Sequence, residues 1–381
     1  MRIMSRRVRP HRVYLVATIV LAKVAAADAE TPMGHPLLPG VRSSEVHETA
    51  WPRTLHDNLA TGFSPLQCGM ENAAQIWGKG DLGCRADWVH VLSAEGTEDR
   101  ALVYDGRLRC VTATGEVLWE AATGGNIVFY GNLAHEDRAT NAIVLSAGRN
   151  LIVLDADTGA TNWHHAFDPP HAQVRARVDD ILPELPGLEA AVVLSHAEDG
   201  CVINFPPDGE PTFVWQGSVV VPGEYNERYD HYCDLRLDLS DSQRPLIWNV
   251  RRYRCRGFDA RTGKMVSSLA YDIGGEQRRN YGPWALGTGA NGQPMVFVVG
   301  ERVQEHVHGI QLNRHGDSTL AWQHYYGEVY KKSFGVAVEN LAIADLDGDG
   351  VTEVAYSVRD PAHDFRSFVR IRDGATGEIE W

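Results

Sequence analysis

The chain has 381 residues, enough for one large repeat domain or two to three ordinary ones. Its apolar and aromatic content suits a soluble protein with a packed core, which excludes a disordered or collagen-like chain. A formal net charge of -14 argues against nucleic acid or an anionic membrane as the main partner and is compatible with cation binding.

Residues 1–29 read as a secretory signal. Arg2, Arg6, Arg7, Arg9 and Arg12 supply a positive flank, Val13 to Ala22 a short apolar core, and Ala27-Asp28-Ala29 a small-x-small cleavage site. The apolar run is short for a bilayer and Lys23 interrupts it, so cleavage is favoured over an uncleaved anchor. The mature chain is expected to begin near Glu30, in a periplasmic or extracellular compartment. No later segment is apolar enough to be transmembrane. Residues 30–50 form a linker, and residues 51–381 are predicted to form one domain.

That domain repeats a phrase. It reads TGEVLW ending at Trp119, TGATNW ending at Trp163 and TGEIEW ending at Trp381. Looser copies end at Trp215, Ser267 and Trp322, and a strand without the Gly turn ends at Trp77. Recurrence every 40 to 60 residues signals one supersecondary unit used repeatedly. Each copy has apolar runs such as NAIVLSA from Asn141, EAAVVLS from Glu189, RPLIWNV from Arg244, PMVFVVG from Pro294 and TEVAYSV from Thr352. A further strand ends in Asp and Thr-Gly, a hairpin signal. Helical periodicity is absent beyond the signal segment.

Four strands per unit joined by tight turns predict an all-β fold, a β-propeller of four-stranded antiparallel blades. A solenoid or sandwich would also accommodate the hairpin, but the period suits four strands. The Trp of each unit is expected to lie buried between neighbouring blades, Trp119 and Trp163 among them. Six units follow Trp77, whose own strand has no inner strands before it. The pattern therefore predicts an incomplete blade, or seven to eight blades in a longer chain.

The segment WPRTLHDNLATGFSPLQCGMENAAQIW from Trp51 resembles the opening of pyrroloquinoline-quinone-like propeller proteins. Trp51, Pro52, His56, Asp57, Thr61, Gly62, Ser64, Pro65 and Trp77 carry the resemblance, and the later D-x-x-T-G-x-x-x-W phrases extend it. It implies the fold of quinoprotein alcohol dehydrogenases. It also implies, for enzymes of that kind, adjacent cysteines beside the quinone, a Trp platform and an Asp base near calcium. This chain has no Cys-Cys pair, so the quinone is not expected as its cofactor.

Near the C-terminus, ADLDGDGVTEVAYS from Ala344 resembles the calcium loop of FG-GAP (VCBS-type) repeats. Asp345, Asp347 and Asp349 alternate, Gly350 permits a sharp turn, and the Val351 carbonyl and Glu353 complete a candidate shell. Oxygens at alternate positions suit a hard cation, and carboxylates this close repel one another without one. A structural Ca2+ is expected here; a solvated acidic turn is the simpler alternative. Asp179-Asp180, Asp234 and Asp238 are vestiges of the same pattern with no metal assigned.

Other chemistry is sparser. Arg252, Arg254 and Arg256 in WNVRRYRCRGFD fall on one face of an extended strand, a possible anion site or an exposed edge paired with carboxylates. His164-His165, His306-x-His308 and His324 read as surface histidines without a third ligand. Cys110, Cys201 and Cys255 sit in apolar strands where other copies have Leu151 and Val369, so they read as small buried side chains. Cys68 and Cys84 flank the Trp77 strand and are candidates for a disulfide. Three functional readings follow. The first is an exported non-catalytic propeller binding a protein or carbohydrate partner. The others are a quinone-dependent dehydrogenase and a calcium-dependent polysaccharide lyase-like enzyme.

Overall fold

The computed structural model describes residues 88–380 apart from 93–99, 105–106, 113–114, 122, 124, 135–140, 220–232, 252–253, 271–283, 300–305, 326–337 and 361–365. All of these belong to one compact unit, Gly34–Trp381. Trp77, Cys68, Cys84, Arg252, Trp381 and the signal segment lie outside the described residues.

The apolar runs form strands in chain order. Blade one holds β1 (Trp88–Leu92), β2 (Arg100–Tyr104), β3 (Leu108–Thr112) and β4 (Val117–Ala121). Blade two holds β5 (Asn126–Gly131), β6 (Ala142–Ala147), β7 (Asn150–Asp155) and β8 (Thr161–Ala166). Blade three holds β9 (Gln173–Asp179), β10 (Leu188–Ser195), β11 (Asp199–Phe205) and β12 (Thr212–Ser218). Blade four holds β13 (Asp234–Asp238), β14 (Leu246–Arg251), β15 (Arg254–Asp259) and β16 (Met265–Ala270). Blade five holds β17 (Trp284–Thr288), β18 (Pro294–Val299), β19 (His306–Gln311) and β20 (Thr319–Tyr325). Blade six holds β21 (Val338–Ala344), β22 (Glu353–Asp360) and β23 (Arg366–Arg372), and an isolated Arg372–Ile379 bridge marks its fourth position. Among the described residues the strands of each blade pair antiparallel in sequence order, giving five four-stranded sheets and one of three strands. Among the described residues the one helical element is a short 3-10 turn, Ala290–Gly292.

The first strands of adjacent blades meet, β9 with β13 and β17 with β21, which places them innermost. Side chains alternate across each sheet toward the two neighbouring blades. In β10, Ala190, Val192 and Leu194 enter the core shared with blade two, while Ala191 and Val193 enter the core shared with blade four. Such a strand is buried on both faces and reads as a continuous apolar run.

The fourth strands are solvent-facing, and their edges are made irregular. In blades one to five the register to the third strand slips at one position. The extra residue stands directly before the Trp position: Leu118, Asn162, Val214, Val266 and Ala321. A bulge at this place twists the outer strand and spoils it as a template for another chain.

The Trp phrase works between blades, in alternation. Trp119 of blade one donates its indole N–H to the Ala156 carbonyl of blade two at 3.0 Å. Trp215 of blade three bonds Ala260 of blade four at 2.7 Å, and Trp322 of blade five bonds Gly374 of blade six at 2.7 Å. Each acceptor follows the Asp of a D-x-x-T-G turn. That Asp caps the turn, as Asp155 does by accepting from the Thr158 amide and hydroxyl, both at 2.8 Å. The turn's glycine must be bare: a Cβ on Gly159 would stand 2.6 Å from the Trp119 ring, and its φ is +71°.

Trp163 departs from the expectation. It is half-buried and packs edge to face on Phe205 at 5.7 Å. The hairpin it would meet, FPPDGEPT, is longer and lacks the D-x-x-T-G cap, so a Cβ on Gly209 would meet nothing within 4 Å. In blade four Ser267 replaces the Trp and bonds Ser318 of blade five at 2.9 Å. Gly159 and Gly209 both have positive φ, so they separate steric contact from backbone strain. Gly209→Ala is expected to cost about 1 kcal/mol from strain alone. Gly159→Ala should cost about 2–4 kcal/mol, because the methyl also displaces an indole. Equal losses in urea titrations would remove the close approach from the account.

Candidate metal centre

In blade six, β21 ends at Ala344, which pairs with Glu353 at the start of β22, and the acidic loop bridges them. Asp345 accepts from the amides of Gly348 at 2.7 Å and Gly350 at 3.0 Å. Asp347 accepts from Asp349 N at 3.1 Å, and Asp349 from Val351 N at 2.7 Å. Gly348 and Gly350 take φ of +83° and +87°, which lets so short a turn fold back. The loop's end is pinned to blade five, where Thr288 N donates to Thr352 Oγ1 at 2.9 Å.

Of the expected ligands, the fold gathers Asp345, Asp347 and Glu353, whose carboxylate oxygens lie within 4.8 Å of one another. Two oxygens on opposite sides of a Ca2+ at about 2.4 Å are about that far apart, so the spacing fits one cation. Asp349 stands outside this group, its Oδ1 engaged by Val351 N. Glu353 is buried and accepts from Leu346 N. Burial, joined by the charges of Asp347, Glu380 and Asp345, pushes its carboxyl up to about 7.

Two further residues come from the turn that follows the last strand. Asp373 and Glu380 place carboxylate oxygens within 4.8 Å of Glu353. Burial, then Asp373, Asp347 and Asp349, raise the Glu380 carboxyl. Sequence reading assigned Asp373 only to the hairpin and missed Glu380. The available signal was Asp373's position at the end of a strand that pairs with the one Glu353 begins.

Blade three has a counterpart in which a buried glutamate receives hydrogen-bond donors. Glu189 near the start of β10 is fully buried; its Oε2 accepts from Ile181 N at 3.0 Å and Leu182 N at 2.9 Å. Its Oε1 accepts from Asn204 Nδ2 at 2.8 Å. The Asp179-Asp180 vestige is thus a turn capped by a glutamate.

Elsewhere the polar groups hold blades together. Asp234 accepts from Arg177 at 3.1 Å and Arg236 at 2.5 Å; the two cations outweigh burial and hold it well below the usual carboxylate range. The Arg236 guanidinium lies 4.6 Å over the Trp284 ring and bonds the Trp284 carbonyl at 2.9 Å. Asp238, buried, pairs with Arg314 of blade five.

The arginine-rich run spans the turn between two strands. β14 ends at Arg251 and β15 begins at Arg254, the two paired across a hairpin, so Arg254 and Arg256 share β15 while Arg252 lies outside the described residues. Arg256 is buried, because its β15 position faces a neighbouring blade. His308 is likewise buried in blade five, against the surface placement expected. Cys110, Cys201 and Cys255 are buried free thiols as expected, joined by Cys233. Burial pushes Cys110 up to about 11 and Cys255 up to about 12, which keeps them unreactive. Among the described residues no helix is long and apolar enough to cross a membrane.

Neither a protein-family model nor a curated protein matches the chain. Solved structures do. A europium-containing methanol dehydrogenase is 11% identical, with a TM-score of 0.52 covering 88% of this chain and 79% of that one. A quinohemoprotein alcohol dehydrogenase from Comamonas testosteroni is 12% identical, with a TM-score of 0.47 covering 87% and 66%. BamB from Moraxella catarrhalis is 16% identical, with a TM-score of 0.44 covering 78% and 75%. At such identities the likeness to the methanol dehydrogenase is one of fold alone, and the fold is a β-propeller.

Proposed function

We propose that the chain is an exported, non-catalytic propeller that binds a protein or carbohydrate partner and holds a structural Ca2+ in the loop from Asp345 to Glu353. The observation that carries the scaffold reading is where the polar groups go. Asp234, Asp238, Glu189 and the buried thiols are engaged in blade packing and turn capping. The carboxylates that do converge lie in a turn between two strands of one blade, a place suited to stiffening that blade. Export rests on the Arg-flanked apolar segment ahead of Ala27-Asp28-Ala29.

Calorimetric titration of chelator-stripped protein with calcium tests the loop. Heat of binding and a melting temperature that rises with calcium are expected, since the ion binds only the folded form. Asp347→Ala should remove the loop's share of both and leave the calcium-free melting temperature nearly unchanged. Absence of heat and shift at millimolar calcium would reduce the loop to a solvated acidic turn. The same protein given pyrroloquinoline quinone and calcium should reduce no dye with alcohols or sugars; turnover would make it a dehydrogenase.

A further inference from the structure

We propose that Thr352 couples cation binding in the acidic loop to the seam between blades five and six, so that loading the loop tightens that seam. This rests on the calcium reading of the loop.

Thr352 stands between two of the expected ligands, Val351 and Glu353, and is fully buried. Its amide donates to the Thr288 carbonyl at 2.8 Å, and its Oγ1 accepts from the Thr288 amide at 2.9 Å. Thr288 ends β17, the inner strand of blade five, and is buried too. The loop is thus tied to the neighbouring blade by a closed pair of hydrogen bonds, one through the backbone and one through the hydroxyl.

The equivalent place in blades three and four lacks this pair. Glu353 pairs with Ala344 as Glu189 pairs with Asp179 and Leu246 with Asp238, each joining the start of a second strand to the end of a first. The residues before them are Thr352, Leu188 and Pro245. Leu188 N donates to the Leu133 carbonyl at 2.8 Å, but a leucine side chain offers no acceptor in return. Pro245 has no amide to donate. Of these three blades, the one with a hydroxyl at this position is the one that carries the acidic loop.

Thr352 is also wedged against both blades. A Cβ on Gly287 of β17 would stand 3.0 Å from the Thr352 methyl, and a Cβ on Gly374 would stand 2.0 Å from the Thr352 carbonyl oxygen. The Gly374 carbonyl in turn holds the Trp322 indole of blade five at 2.7 Å. Thr352 cannot leave Thr288 without shifting Val351 and Glu353, one residue to either side. Opening the seam here therefore pulls expected ligands away from a bound cation, and a bound cation opposes the opening. The coupling is reciprocal, since a seam held shut keeps those ligands in place.

Amide exchange of the chelator-stripped full chain, with and without calcium, tests this beside a calorimetric titration, because exchange reads local opening. At ten times the dissociation constant, exchange at Thr288 is expected to slow about tenfold. Leu188, in the equivalent contact of blade three, should slow by about twofold at most. Thr352→Val keeps the shape and removes the oxygen; calcium heat should remain, and the calcium-dependent slowing at Thr288 should be lost. Thr352→Ser keeps the oxygen and should restore it. Slowing that survives in the valine variant and fails in the serine variant would give the contact to the methyl and overturn the proposal. Calcium heat without slowing at Thr288 beyond that at Leu188 would overturn the coupling and leave the loop reading standing. No heat at all would remove both.

Discussion

Trp119→Ala is expected to lower the unfolding free energy by about 3–5 kcal/mol, the range for a large aromatic deleted from a packed core. The ring is buried against Leu154 and Ala156 of the next blade and lies on Gly159, so its loss opens a cavity that a turn capped by Asp155 cannot collapse into. The Ala156 carbonyl also loses its indole donor. Trp322→Ala should behave alike, because Gly377, Gly374 and Phe297 enclose that ring in the same manner. Trp163→Ala should cost clearly less, about 1–2 kcal/mol, since the side chain is half-exposed and no turn glycine closes on its ring. Equal losses at Trp119 and Trp163 in denaturant titrations would refute the alternation. A loss below about 1 kcal/mol at Trp119 would refute the blade lock itself.

The second large effect is at Glu189. Glu189→Ala should cost about 3–5 kcal/mol, because it strands the buried amides of Ile181 and Leu182 and the side-chain amide of Asn204 in one step. Burial is the main cause that pushes this carboxyl up to about 8; the hydrogen bonds pull the other way. A carboxyl raised on folding stabilises the fold fully below its unfolded value near pH 4.5 and loses that contribution as pH rises through 8. The protein should therefore lose stability between about pH 5 and pH 8 from this group, by no more than about 5 kcal/mol. Glu189→Gln, always neutral, should stay within about 1–2 kcal/mol of the parent at pH 6 and flatten the slope. A melting temperature that rises from pH 5 to pH 8 in the parent but not in the glutamine variant would show the opposite sign and defeat this account.

Much of the fold was legible in the residue order because a blade is built from local signals. The runs from Asn141, Glu189, Arg244, Pro294 and Thr352 became the second strands β6, β10, β14, β18 and β22. Period-two alternation, apolar runs and Thr-Gly turns act over a few residues, so a strand and its hairpin can be read without knowing their neighbours. The same holds for the buried Cys110, Cys201 and Cys255, whose strand positions alone place them in the core. The acidic loop was also visible, since alternate aspartates and glycines set its turn by themselves.

What the sequence did not reveal lies in contacts between segments far apart along the chain. Whether a Trp is locked depends on the length and cap of a hairpin about 40 residues later, which separates Trp119 from Trp163. Arg256 and His308 are charged or polar in sequence but buried, because blade packing covers both faces of a sheet. Asp373 and Glu380 join Glu353 only because strand register and a reversing turn return them to the loop. The sequence by itself determined strands, turns and the blade unit, whose free energy is settled among near neighbours. Only the tertiary structure decided which Trp residues dock and which carboxylates converge, because register and inter-blade packing are properties of distant segments brought together.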